Sequence, residues 1–362
     1  MKFDFVIGNP PYQKPADATN RQEPVYQYFY DAAEKIADKY IIISPARFLF
    51  NAGLTSKIWN EKMLSDEHLT VKYYNKNSAQ VFANTDIKGG VVIIYRDKNK
   101  RFGAIENFVP DNELRELIAR VGTQGNRLSD IVFAGRSALK FNDLFLKKYP
   151  QSINDRLKSI KAKAKTGRSN ESLAPNEEYE IKSSSFDVLS YAFLPDRIDF
   201  DRNKYYRLLG LTGSGREYRL IEKKYVSPRY EANNIDKYKV FLPKASGSGI
   251  FGEILAAPVV GRPGESSTPT FISIGSFDSE EEAFNLVSYI KTKFFRALLG
   301  ILKVTQDIVP AKFKYIPVVD FSKKSDIDWG RTVSEIDDQL FSKYKFDSNL
   351  KAFINNRVLE MK

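Results

Sequence analysis

The feature that most restricts this chain lies near its start, where the apolar run Phe3-Asp4-Phe5-Val6-Ile7-Gly8 stops at Asn9-Pro10-Pro11-Tyr12. A run of Phe, Val and Ile closed by glycine reads as a buried strand of a parallel sheet, with ligands collecting beyond its carboxyl end. Two consecutive prolines fix φ and remove two backbone donors. The strand therefore ends at Gly8, and the carbonyls of Asn9 and Pro10 point out of a rigid turn. Asn9 adds a side-chain amide oxygen, and Tyr12 adds an aromatic face beside it.

An exocyclic amino group on a flat base needs this set: acceptors for its hydrogens and a ring to stack on. Adenine N6 fits best. The structural alternative is a proline-stiffened turn after an edge strand. After Tyr12, residues 13–23 are polar and turn-rich and read as a loop over the active edge. Residues 25–38 place Val25, Tyr28, Phe29, Ala32, Ala33 and Ile36 on one helical face. A second buried strand, residues 40–44, ends at Pro45. Strand, helix and strand at this spacing make half of a doubly wound parallel sheet. A helical stretch over 46–64 around Leu54, Ile58 and Met63, a strand at 69–74 and a last strand at 90–95 complete the unit before the charged run 96–101.

Composition narrows the chemistry. With no cysteine and one histidine, His68, a Cys/His zinc site or a Ser-His-Asp triad lacks raw material, and no metal site is expected. His68 reads as a loop residue before a strand. A length of 362 residues makes two domains the prior, and 42% hydrophobic content suffices for real cores. The net charge of +11 favours nucleic acid as a partner, although an evenly spread basic surface gives the same total. We read no signal peptide and no bilayer-length apolar run, and expect a cytoplasmic protein.

Asn9-Pro10-Pro11-Tyr12 after a hydrophobic strand resembles the catalytic motif of amino-group DNA methyltransferases. The likeness is greatest to the adenine-N6 enzymes of type II restriction-modification systems, including large single-chain, type IIG-like proteins. Ile43-Ser44-Pro45-Ala46-Arg47-Phe48-Leu49 resembles the strand that follows the motif, and Val81-Phe82 with Gly89-Gly90-Val91-Val92 resembles the family's final hairpin. The resemblance implies that Asn9, Pro10, Pro11 and Tyr12 are catalytic and that Tyr12 and Phe82 stack on an extruded base. From the residues alone, Phe82 is either a loop aromatic tucked against the core or a stacking side chain, and the order of motifs favours stacking.

In that family the half-sheet before the motif holds S-adenosylmethionine, through a glycine-rich turn and an acidic residue on the ribose. Downstream, Gly210-Leu211-Thr212-Gly213-Ser214-Gly215, Gly247-Ser248-Gly249 and Gly261-Arg262-Pro263-Gly264 have no apolar helix to follow them and read as loops. The expectation is an incomplete cofactor site, a missing N-terminal half or partner subunit, and a first sheet edge that another chain or self-association must cover.

Beyond Phe108 the texture changes. Residues 112–121 read as a helix with Leu114, Leu117, Ile118 and Val121 on one side. The Lys/Arg run over 156–167 reads as a solvated helix end and linker, with phosphate contact as the alternative. Glu180-Ile181-Lys182 has the Glu-x-Lys spacing of many magnesium nucleases, but Asp196 follows it where an acidic residue should precede, so no nuclease is expected there.

Residues 203–275 interleave Tyr with Arg and Lys, either a surface that grips phosphates and bases or the solvated face of a sheet. Residues 239–249, 272–277, 288–296, 303–306 and 315–322 resemble the target-recognition end of the same methylases. Within the interleaved stretch Arg216, Arg219, Lys223, Lys224 and Arg229 are candidate DNA contacts, and the resemblance adds Lys244, Lys291, Lys293, Arg296, Lys303, Thr305 and Gln306. One long helix is expected over 280–303, buried through Ala283, Leu286, Val287, Ile290, Phe294 and Leu298.

The expected fold is α/β. A partial doubly wound, Rossmann-like methyltransferase sheet over 1–108 is followed by a helical connector over 109–175 and an α+β target-recognition domain over 176–362. The expected activity is adenine-N6 methylation of double-stranded DNA at a specific site. The alternatives are a non-catalytic DNA-recognition subunit with a relic motif, and a restriction-modification protein whose nuclease lies elsewhere.

Overall fold

The computed structural model describes residues 3–14, 23–51, 54–106, 108–122, 125–134, 136–163, 172–197, 199–230 and 234–361. The chain divides into two compact units, Met1–Asn112 and Glu113–Lys362.

The first unit is built from β1 (Val6–Gly8), α1 (Tyr26–Ile36), β2 (Lys39–Pro45), α2 (Lys57–Ser65), β3 (Leu69–Asn75) and β4 (Val91–Asp97). Its sheet has the order β1-β2-β4-β3. β1 and β2 are parallel, with Val6 beside Tyr40 and Gly8 beside Ile42, whereas β4 inserts antiparallel between β2 and β3. The sheet is thus mixed, and the parallel arrangement read from the sequence holds only at the β1–β2 step. The cause lies in the connection from β3 to β4: its only helical piece is a short turn at Ser78–Gln80, and without a crossover helix a strand returns antiparallel.

Strand alternation sets the two faces of this sheet. Tyr40, Ile42 and Ser44 on β2 and Val92 and Ile94 on β4 are buried, and both helices pack on that side. Ile41, Ile43 and Ile93 on the opposite face are half-buried. β1 departs from the buried strand expected: Ile7 is 80% exposed, and Phe3 and Phe5 are exposed as well. Among the described residues β1 pairs only with β2, so it is an edge strand.

Two helix faces also differ from expectation. The inward stripe of α1 is Tyr26, Tyr30 and Ala33, while Tyr28, Phe29, Ala32 and Ile36 are exposed. Both stripes have helical spacing, but the tyrosine stripe can be buried with its polar group satisfied. Tyr30 packs within 5.7–6.1 Å of the Tyr40, Trp59 and Phe48 rings, and its hydroxyl meets Ser44 Oγ at 2.9 Å. The helical stretch expected over 46–64 is split into a tight turn, Ala46–Phe50, and then α2. Asn51 ends the turn at φ 51°, and Ser56 starts a new helix by accepting Trp59 N–H at 3.2 Å. This restart turns Trp59, Met63 and Leu64 inward and leaves Leu54 and Ile58 exposed.

The second unit begins in α3 (Asn112–Val121) and continues through β5 (Val132–Phe133), β6 (Leu139–Phe141), α4 (Asp143–Lys148), α5 (Ser152–Lys163) and α6 (Ser185–Val188). The strands β7 (Leu194–Pro195), β8 (Tyr205–Thr212), β9 (Gly215–Glu222), β10 (Val226–Pro228), β11 (Tyr238–Pro243), β12 (Val259–Gly261), β13 (Glu265–Ser267) and β14 (Phe271–Phe277) follow. It closes with α7 (Glu280–Lys291), α8 (Lys293–Leu302), α9 (Val333–Lys343) and α10 (Ser348–Arg357). Its sheets have the orders β12-β11-β14-β5 and β13-β8-β9-β7, with β6 and β10 as a separate pair.

The stretch 109–175, expected as a helical connector, thus sends β5 onto β14 and β6 onto β10. Phe141 and Phe145, stacked at 3.8 Å, tie it into a buried cluster. The basic run falls partly outside the described residues, at 164–171. Its first member, Arg156, is 4% exposed and donates to Glu180 O at 2.8 Å.

The single helix expected over 280–303 is two helices. At the break, Thr292 accepts Phe295 N–H at 3.1 Å, and Asp337 accepts the N–H groups of Lys293 and Phe294 at 2.9 and 2.8 Å. A capped restart with satisfied amides is more stable here than a continuous helix would be.

Candidate functional site

Asn9 leaves the sheet at the carboxyl end of β1. Its amide is exposed and unpartnered among the described residues, and the carbonyls of Asn9 and Pro10 accept no backbone hydrogen bond in the turn. Pro10 is buried, which anchors the turn, and Pro11 is exposed. Past it, Val25 N–H donates to Tyr12 O at 3.1 Å and Lys14 N–H donates to Glu23 O at 3.0 Å. This narrow ladder fixes the base of the loop expected over the site, whose tip, 15–22, lies outside the described residues. Tyr12 is half-buried, and its hydroxyl is buried without a hydrogen-bond partner among the described residues. Burial raises the pKa of that hydroxyl. The turn thus offers free acceptors from Asn9 and Pro10 beside a ring held by its own packing.

A second loop issues from the same end of the sheet, because Pro45 at the end of β2 and Asn75 at the end of β3 both lie opposite Val91. Ser78 fastens it: Ser78 Oγ donates to Thr85 O at 3.0 Å and accepts Ile87 N–H at 2.8 Å. Thr85 Oγ1 donates to Phe82 O at 2.8 Å, and Phe82 N–H donates to Ser78 O at 2.8 Å. Phe82 is half-buried on this fastened loop and packs on no other ring among the described residues. The chain returns through Gly90, at φ +81°, where a Cβ would lie 2.2 Å from Asn75 O. No other residue fits there.

Residues 1–82 match the Eco57I restriction-modification methylase family. The matched stretch contains the whole Asn9–Tyr12 turn and ends on Phe82. Among solved structures the chain is similar to the type IIL restriction-modification enzyme MmeI, determined in complex with DNA, at a TM-score of 0.39 and 10% identity over 98% of this chain and 56% of that one. It is also similar to the type IIG restriction endonuclease BpuSI, at a TM-score of 0.34 and 12% identity over 98% of this chain and 53% of that one. The chain thus spans about half the length of these two enzymes. No curated protein sequence matches it.

The matched methylase family implies S-adenosylmethionine as a methyl donor in general, and the glycine clusters at 210–215, 247–249 and 261–264 can be tested as its cradle. Phosphate- and nucleotide-binding glycine turns leave free amides at a helix N-terminus. Gly210–Gly215 instead forms the end of the β8–β9 hairpin, with Thr212 opposite Gly215. Gly247-Ser248-Gly249 has its amides bound to Glu253. In the turn 261–264, Arg262 N–H donates to Glu265 Oε2 at 3.0 Å and Gly264 N–H donates to Ile235 O at 2.9 Å. None of these clusters fits the donor.

The residues expected on DNA divide into three groups. Arg229, Arg296 and Lys303 are used inside the protein. Arg229 pairs with Glu180 at 2.5 Å and donates to Ser137 O at 3.0 Å. Arg296 and Lys303 are 2% exposed, with Arg296 donating to Lys291 O at 3.3 Å and Lys303 ion-paired to Glu253. A single amphipathic helix over 280–303 would present both at its surface, whereas α8 is buried nearly all round. Lys239, from the Tyr/Arg/Lys-rich stretch, is also internal: its ammonium donates to Ile235 O, Arg262 O and Glu265 O at 2.8, 3.1 and 2.8 Å, and burial pushes its pKa down to about 7.

A second group is tethered at the surface. Arg216 donates to Ala257 O at 2.8 Å, Arg219 and Lys224 pair with Glu217 and Glu222 at 2.6 Å, Lys223 lies 4.5 Å over the Tyr206 ring, and Lys293 donates to Asn355 Oδ1 at 3.2 Å. The third group is open. Lys244 and Lys291 have no ion-pair partner among the described residues, and Thr305 and Gln306 are exposed. Glu180 and Lys182 are likewise paired apart, Glu180 with Arg229 and Arg136 and Lys182 with Glu177. Sequence reasoning passed over Ser78 and Glu253. Only the polar, glycine-flanked character of their loops hinted that a side chain must satisfy the backbone there.

Proposed function

We propose that this chain is the base-binding and DNA-recognition portion of a site-specific adenine-N6 DNA methyltransferase of a restriction-modification system. The observation that carries the reading is the unpartnered Asn9 amide, beside the free Asn9 and Pro10 carbonyls, at the carboxyl end of β1 in the segment that matches a methylase family. Asn9 Oδ1 and Pro10 O would accept the two N6 hydrogens of a flipped adenine and raise electron density on the nitrogen that accepts the methyl group, while Tyr12 and Phe82 hold the ring. An oriented hydrogen bond that strengthens in the transition state contributes roughly 2.7–4 kcal/mol. DNA contact falls to the second unit, with Lys244, Lys291, Thr305 and Gln306 as its available groups. The donor site belongs to a segment that covers the open edge of β1, in this protein or in a partner.

A second reading, a DNA-recognition subunit without catalysis, is favoured by one observation: the three glycine clusters at 210–215, 247–249 and 261–264 are committed within the protein. One experiment separates the two. The coding sequence with its genomic flanks is expressed in a host free of DNA methylation, and host DNA is read for modified bases by single-molecule sequencing. We expect N6-methyladenine at one recurrent motif, lost in Asn9→Ala while duplex binding is retained. A mark on cytosine, or a mark that survives Asn9→Ala, refutes the catalytic assignment. Duplex binding with no mark selects the recognition subunit.

A further inference from the structure

The loop Gly247-Ser248-Gly249-Ile250-Phe251-Gly252 has its Ser248 and Gly249 amides bound to Glu253 and is built with unusual constraint. Its glycines at 247, 249 and 252 have φ of +66°, +91° and +76°. A Cβ on Gly249 would lie 2.4 Å from Thr305 N, and one on Gly252 would lie 2.3 Å from Arg357 O, so the loop backbone is pressed directly onto two neighbouring segments. Glu253 locks it. Its carboxylate accepts Ser248 N–H at 2.7 Å, Ser248 Oγ–H at 3.1 Å and Gly249 N–H at 3.0 Å, and is paired with the buried ammonium of Lys303. An antiparallel seam fixes the approach, with Ser246 N–H on Gln306 O at 2.9 Å and Ile308 N–H on Lys244 O at 2.7 Å.

The side chains on this frame divide sharply. Phe251 turns inward, with its ring 6.0 Å from Phe353 and against Gly300. Ile250, its neighbour, is 71% exposed, and Val304, Thr305 and Gln306 are exposed across the seam. Beside the tip lie the exposed Thr305 and Gln306 on the segment that Gly249 presses against and the exposed Ile254 and Leu359 beyond Gly252, and Lys244, free of any ion pair among the described residues, sits at the base of the seam. Asp307, the carboxylate on the seam, interacts with Lys312. Leaving a large aliphatic in water on a mobile loop is common, but locking one in place with a buried ion pair prepares it for insertion without an ordering cost. Inserted aliphatic wedges flanked by base-reading amides and hydroxyls are how proteins pry open base steps in duplex DNA.

We propose that this two-loop tip is inserted into duplex DNA, with Ile250 as the wedge between base steps, Gln306 and Thr305 reading the adjoining base edges, and Glu253 with Lys303 as the latch that positions them. The inference rests on the DNA-binding part of the function proposed above and adds the element that reads sequence.

The test uses the full chain and a random-sequence duplex library. Bound duplexes are selected, and a fluorescent purine analogue is then placed at each step of the selected motif. The wild type should enrich one motif and raise fluorescence at one step through unstacking. Ile250→Ala, an exposed change that leaves the fold intact, should abolish that rise and weaken the selected duplex on the order of tenfold to a hundredfold, with binding to scrambled duplex unchanged. Ile250→Leu should restore both. Glu253→Gln should blur the motif while keeping salt-sensitive binding. If the wild type binds duplexes and Ile250→Ala keeps both motif and unstacking signal, the wedge is refuted and the DNA-binding function stands. If Ile250→Ala instead dissolves a self-associated form of the chain, the tip is a protein interface. If the wild type binds no duplex at low salt, both proposals fall.

Discussion

Replacing Tyr12 with phenylalanine removes a single oxygen, and the structure assigns that oxygen an unusual position. It is buried and makes no hydrogen bond among the described residues, on a ring that is itself only half-buried. A buried hydroxyl without a partner costs roughly 1–3 kcal/mol. Tyr12→Phe should therefore stabilise the first unit by about 1 kcal/mol, a rise in Tm of roughly 4 °C for a unit of this size. Trp59 lies in the core of that unit and the chain's other tryptophan, Trp329, in the second. Fluorescence in a Trp329→Phe background therefore follows the relevant transition alone. Methyl transfer should change less than about threefold, because stacking uses the ring. Tyr12→Ala should cost roughly 2 kcal/mol of stability, about half the loss for a fully buried ring, and weaken binding of an extruded base. A Tyr12→Phe protein destabilised by more than about 1 kcal/mol would show that the hydroxyl has a partner. A hundredfold loss of rate would place the hydroxyl in the chemistry and refute a stacking role.

Gly90→Ala should lower stability on the same Trp59 transition by at least roughly 3 kcal/mol, because left-handed strain adds to displacement of Asn75 from the end of β3. Gly103→Ala, in the same unit at φ +89° but with open space around the new methyl, should cost only the roughly 1–2 kcal/mol of left-handed strain, and equal effects at the two positions would remove the argument. The Glu253 carboxyl is desolvated, but Lys303 and the Ser248 and Gly249 amides outweigh this and hold its pKa down to about 2 from an ordinary 4.5. Its contribution, on the order of 1–2 kcal/mol once solvent screening is allowed for, should be fully present above that ordinary value and lost as pH falls toward the folded one. Denaturant midpoints of wild type and Glu253→Gln should therefore converge across this acid window, and a constant gap would refute the linkage.

What could be read from the sequence is what depends on neighbours in the chain. The stop at Asn9-Pro10-Pro11, the strands near 40–45, 69–75 and 91–97, and a polar loop before Gly90 follow from proline, alternation and turn residues, though not the Ser78 side chain that fastens that loop. Choices between locally equivalent options did not follow. Helix α1 carries two apolar stripes, and only the Ser44 hydroxyl and the Trp59 ring across the core select the tyrosine one. The single helix read over 280–303 breaks at Thr292 because Asp337, more than forty residues away, satisfies the new helix start. Arg296 and Lys303 were read as surface cations because charge pattern cannot reveal a distant Glu253 that draws one of them inward.

The first strand is the instructive discrepancy. Phe3, Phe5, Val6 and Ile7 have the composition of a strand covered on both sides, yet Phe3 is 50%, Phe5 41% and Ile7 80% exposed. Burying a large apolar side chain contributes about 1.5–3 kcal/mol, so covering these three would release on the order of 5 kcal/mol. The edge of β1 that pairs with no strand among the described residues offers backbone donors and acceptors to the same partner. Asn9 emerges from this strand, so whatever covers β1 approaches the turn that would hold the base. A segment that carries the methyl donor would be positioned against that base by the same burial that completes the sheet. On this argument, pairing at β1 and catalytic competence are one event. Ile7→Asp should therefore abolish methylation in the flank-containing expression test while leaving duplex binding by the second unit intact. Methylation that survives Ile7→Asp would show that the donor reaches the site by some route other than the open edge.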